Sequence, residues 1–90
     1  MIDGTTSPYR VTVPMTYETA AELLERGRPL FSGEPIAFDL AAVPDVDSSA
    51  LSIILGWQRA AGQGKLTITN LPKNISSLAA LYGIDDFMAQ

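Results

Sequence analysis

Segments with the two-residue period of a strand alternate along this chain with segments of helical period, and that order constrains the fold more than any single residue. Tyr9-Arg10-Val11-Thr12-Val13 alternates apolar and polar positions among β-favouring residues, and so reads as a half-buried strand that Pro14 ends. Thr16 then stands as an N-cap, with Glu18 in the first turn, where a carboxylate suits the helix dipole. Ala20, Leu23 and Leu24 recur at helical spacing, and the helix is expected to stop near Gly27 to Pro29, before a loop holding Ser32-Gly33-Glu34-Pro35. Ile36 to Leu40 is a short, largely apolar run, as expected of a strand buried on both faces. After a loop from Ala41 to Asp47, a second helix is predicted from about Ser49 to Ala61, ending at Gly62-Gln63-Gly64. Lys65 to Thr69 alternates again as a strand. Asn70-Leu71-Pro72 turns into a last helix, roughly Lys73 to Tyr82, closed by Gly83 and followed by a tail from Ile84 to Gln90. Residues 1–8 are small and polar, either a loose lead-in or a frayed first strand.

Strand, helix, strand, helix, strand, helix is the order of an α/β fold, with parallel crossovers and helices packed on the sheet. Ninety residues fit a single domain, and an apolar fraction of 47% with 18% charged residues is an ordinary globular balance.

The same composition removes several functions. Six basic residues are scattered through a chain of net charge −4. Nucleic acid and anionic membranes both call for clustered basic charge, so neither is the expected partner. No cysteine and no histidine occur, which removes a thiol nucleophile, thiolate metal ligands and the commonest general base. No cofactor, metal site or catalytic residue is therefore predicted. Residues 1–10 lack a basic flank followed by an apolar run, and no stretch approaches the roughly 20 apolar residues of a membrane span. The expectation is a cytoplasmic protein with no direct membrane insertion.

Three segments could carry function. In Asp45-Val46-Asp47-Ser48-Ser49-Ala50-Leu51 a buried strand leads, through a loop, into an apolar helix. Asp47, Ser48 and Ser49 fall where unpaired backbone N–H groups point outward, so one of them is expected to cap the helix. Capping leaves a second hydroxyl over. A hydroxyl at the positive end of a helix is a good acceptor for phosphate or a contact for a partner, although Asp45 and Asp47 would repel added negative charge.

The second segment is that helix. Leu51, Ile54, Leu55 and Ala61 form a core stripe, and Ala50, Ile53, Trp57 and Ala60 widen it to about twice the usual ~100°. Either the helix is wedged between the sheet and a neighbour, or Ile53 and Trp57 stay partly exposed as a partner interface. In the third segment, Ile75, Leu78, Ala79 and Tyr82 mark the buried face of the last helix, with Leu81 on its flank. Gly62-Gln63-Gly64-Lys65 precedes a strand, the wrong context for a phosphate loop.

Phe38-Asp39-Leu40, Val43 and Val46-Asp47-Ser48-Ser49-Ala50-Leu51 together resemble the STAS-domain signature of buried strand, loop and Asp-Ser helix start. Trp57 to Ala61, Leu66 to Pro72 and Leu78 to Ile84 extend the likeness to about residues 9–87. These later segments look more like the Mla-type STAS subunit of bacterial phospholipid transporters than like anti-anti-sigma factors. The resemblance implies a mixed β-sheet with helices packed mainly on one face. It also implies a non-catalytic subunit bound to the ATPase of an ABC transporter that maintains outer-membrane lipid asymmetry, held at the inner membrane through that partner. The hydroxyl directly after the family's Asp corresponds to Ser48, at the face that meets the ATPase. As an anti-sigma factor antagonist, the alternative, the chain would be phosphorylated at Ser48 or Ser49 by a partner kinase. Those relatives carry glycine where this chain has Ala50, which weighs against the phosphoswitch.

Overall fold

The computed structural model describes residues 1–62 and 64–81. In chain order these form β1 (Ile2–Asp3), β2 (Tyr9–Val11), α1 (Tyr17–Gly27), a 3-10 turn (Arg28–Leu30), β3 (Ile36–Asp39), α2 (Ser49–Ala61), β4 (Leu66–Thr69) and α3 (Lys73–Leu81). The sheet order is β1-β2-β3-β4. β1 pairs with β2 antiparallel, with Ile2 opposite Val11, so the start of the chain is a true edge strand. The β2–β3 and β3–β4 pairs are parallel, which places Tyr9, Phe38 and Ile68 in one row and Arg10, Asp39 and Thr69 in the next.

Period-two alternation fixes what each row faces. Val11, Ile36, Phe38, Leu66 and Ile68 are buried among the helices, whereas Arg10 and Thr67 are exposed and Ala37, Asp39 and Thr69 half-buried. This corrects the expectation that β3 is buried on both faces. Its apolar composition reflects a small alanine at position 37, and Asp39 lies on the open face.

The core is seeded where α2 crosses the sheet. Trp57 lies flat on Phe38, with ring centroids 4.3 Å apart and planes 15° apart, while Phe31 meets Phe38 edge-on at 6.0 Å. The indole N–H, which must find an acceptor when buried, donates to the Leu23 carbonyl of α1 at 3.1 Å. Gly27 makes that approach possible, since a β-carbon there would collide with Trp57 Nε1. The wide apolar arc of α2 is thus explained by a helix wedged between sheet and neighbour. Ile53 and Trp57 are 0% and 1% exposed, so neither is available as a partner interface, and that alternative is corrected. Ile75 and Ala79 of α3 complete the core. Leu78 is half-buried, but Leu81 is 78% exposed and does not join them. Gln63, Tyr82, Gly83 and the 84–90 tail lie outside the described residues.

Candidate functional site

Each helix follows a parallel strand, so α1, α2 and α3 all begin at the carboxyl end of the sheet. In open α/β sheets this is the end where loops gather function. Here the β2–α1 and β3–α2 junctions are joined to each other. Met15 and Val46 form an isolated parallel bridge, in which Met15 N–H donates to the Asp45 carbonyl at 2.9 Å and Asp47 N–H to the Met15 carbonyl at 3.3 Å.

Asp47 completes the junction. One carboxylate oxygen accepts the Ser49 N–H of α2 at 2.7 Å, and the other accepts the Tyr17 N–H of α1 at 3.2 Å. Unpaired N–H groups at two helix starts, which would otherwise need water, are met by one side chain. Partial desolvation pushes the Asp47 carboxyl pKa up, but the N–H groups of Ser49 and Tyr17 and the Ser49 hydroxyl outweigh it and hold the group below the usual 3.8. The Asp47 carbonyl also accepts the Ala50 N–H at 3.0 Å.

Of the three residues from which a cap was expected, Asp47 provides it. Ser48 stands at the boundary of α2 in αR backbone (φ −62°, ψ −17°) and makes no side-chain capping bond. Its side chain is exposed, whereas Ser49 is half-buried. The loop therefore presents one hydroxyl outward, on a backbone held by its neighbours on both sides. At the start of α1, Thr16 is the N-cap, as predicted. Its N–H donates to the Thr19 hydroxyl at 3.1 Å, which in turn donates to the Pro14 carbonyl at 2.6 Å.

A second tie lies on the open face. Asp39, the last residue of β3, accepts Asn70 Nδ2–H at 2.8 Å and Ala41 N–H at 2.9 Å, and these bonds hold its carboxyl below the ordinary range. Asn70 itself takes the left-handed backbone (φ 56°) that asparagine tolerates better than most residues. The sequence reading missed this pair, and the Asn-Leu-Pro turn signal was its only trace.

Tyr17 was missed as well. It is 75% exposed, directly beside the Asp47 tie. A groove of about 500 Å³ between α1 and α2 is lined by Leu24, Arg28, Gly56, Trp57, Arg59 and Ala60, and takes no residue from the 41–49 loop. Among the described residues, no cluster of acidic side chains is placed to hold a metal ion, and no helix is long and apolar enough to cross a membrane.

Comparison with known proteins agrees with this geometry. The family model described as MlaB, STAS domain matches residues 6–90, from the run before β2 to the last residue. No curated protein matches the sequence. With the one-sided mixed sheet and the Asp-Ser start of α2 in place, the chain belongs to the STAS-domain family, in its MlaB-type branch.

Proposed function

We propose that this chain is a non-catalytic STAS subunit that binds and supports the ATPase of an ABC-type phospholipid transporter, through the carboxyl end of its sheet. The observation that carries the reading is the exposed Ser48 hydroxyl, relieved of capping by Asp47 and set on a loop tied at both ends. A side chain left unbonded on a backbone already held suits recognition, because docking it costs little backbone ordering. In such a role the subunit works in the cytoplasm, at the inner membrane through its partner, and contributes to outer-membrane lipid asymmetry.

Substitutions at Ser48 separate docking from folding. Ser48→Ala leaves stability within about 0.5 kcal/mol, as at a surface position without a cap to lose. Ser48→Glu folds as well as the parent, since negative charge suits a helix start, but loses the ATPase on co-purification, because the longer side chain clashes in a closely packed interface. A well-folded Ser48→Glu chain that co-purifies unchanged would place the docking surface elsewhere.

A second reading, an anti-sigma factor antagonist switched by phosphorylation, draws on the same exposed hydroxyl at the positive end of α2. The nearby carboxylates of Asp45 and Asp47 and the methyl of Ala50 weigh against it. Phosphate transfer to Ser48 by a serine kinase of the host, with loss of binding to a sigma regulator, would favour it over transport.

A further inference from the structure

We infer that the docking face does not end at α2 but crosses to the start of α1, where the ring of Tyr17 enters an apolar recess on the ATPase rimmed by basic side chains. The inference rests on the ATPase reading above and adds an anchor and a charge sign to it. A single exposed aromatic is unremarkable on a protein surface. Tyr17 differs in how it is held. Its N–H is bonded to the carboxylate that also fixes Ser49, and Met15, two residues before it, is bridged to Val46. The Tyr17 backbone and Ser48 therefore keep a fixed relation to each other. A tyrosine has only two side-chain torsions left to order, which is why it serves so often as an interface anchor.

Size points the same way. A stable protein interface covers about 800 Å² on each partner, far more than one serine and its loop can offer. The face must spread, and the neighbouring surface locked to Ser48 is the first turn of α1, with Tyr17 and Glu18 both exposed.

Charge supplies the partner's chemistry. Glu18 and Asp45 are exposed around this junction and Asp47 is half-buried within it. Of the six basic residues, Arg26 lies in the last turn of α1, Arg28 opens the 3-10 turn after it, Arg59 lies in the last turn of α2, and Lys65 just before β4, all towards the opposite end of the sheet. Lys73 opens α3 at the same end as Tyr17 but beyond α2 from it, and Arg10 sits on the open face of β2. An acidic rim around an aromatic calls for lysine or arginine opposite, which sets register and speeds encounter.

The test titrates the purified ATPase subunit with the parent chain and with folded Tyr17→Ala, Tyr17→Phe, Asp45→Lys and Ser48→Glu variants. Tyr17→Ala is expected to weaken binding about thirtyfold or more, the hot-spot range, and Tyr17→Phe by no more than a few fold, because the ring is the anchor. Asp45→Lys should slow association and flatten its dependence on salt. Hydroxyl-radical footprinting of the parent chain gives a readout without substitution, with Tyr17 protected in the complex. Parent-like binding by Tyr17→Ala, or an unprotected Tyr17, while Ser48→Glu still fails to bind, overturns this inference and leaves the ATPase reading standing. A parent chain that does not bind the ATPase at all overturns both.

Discussion

A β-carbon on Gly27 would occupy the space of Trp57 Nε1, so the indole can lie where it does only against a glycine. Gly27→Ala is accordingly expected to destabilise by about 1–3 kcal/mol, the cost of overpacking, although alanine is the better helix former by about 1 kcal/mol. Urea unfolding checks the sign. A stabilised variant would mean that the indole can move aside. Trp57→Ala leaves a large cavity over Phe38 and should cost about 3–5 kcal/mol, with no specific loss of partner binding in whatever fraction stays folded. The sequence left Trp57 undecided for a physical reason: a helical projection gives the direction of a side chain but not what stands opposite it. Gly27 was read only as a stop signal, because its packing partner is thirty residues away in the chain.

At the level of elements, the junction of α1 and α2 hangs on one carboxylate. Asp47→Asn keeps the shape but leaves a single acceptor oxygen for two N–H groups, so one helix start loses its tie. The folded-state pKa of Asp47 lies below its ordinary value. The stability it adds is therefore fully present above that value and lost as pH falls through the folded pKa. Thermal melts should show the parent above Asp47→Asn at neutral pH, with the gap closing as the solution is acidified from about pH 5. A gap independent of pH would mean that the ionised carboxylate contributes nothing. The existence and order of β2, α1, β3, α2, β4 and α3 were legible because each has a local period, and α2 runs from Ser49 to Ala61 as predicted. The tie between junctions was not, since Tyr17 and Asp47 meet only after the crossover through α1 has brought β3 alongside β2. Local reasoning saw a cap at the start of α2 but not that the same residue also serves α1.

For the molecule as a whole, the parallel crossovers bring all three helix starts to one end of the sheet and leave the opposite sheet face polar. That arrangement suits a surface that is recognised better than a pocket that turns over substrate. Purified protein is expected to hydrolyse neither ATP nor lipid esters, because no histidine or cysteine exists to activate a nucleophile. Of the two lysines, Lys65 leads β4 at the end away from Ser48. Lys73 opens α3 at the same end as Ser48, but the two side chains make no hydrogen bond. Turnover that survives repurification and disappears in Ser48→Ala would refute the binding-module reading. The sheet's one-sidedness was half legible: alternation in β2 and β4 announced it, while the alanine in β3 hid it.

The bridge between Met15 and Val46 also bears on how such a chain can change length over time. Because both junctions are stitched to each other residue by residue, a single insertion between Pro14 and Tyr17, or between Val46 and Ser49, would slip one helix start against its neighbour and break the shared carboxylate tie. The exposed Ser32 to Pro35 stretch at the other end of the sheet has no such partner strand among the described residues. Variation in length, and any tag or label fused within the chain, belongs there, at the rim opposite Ser48.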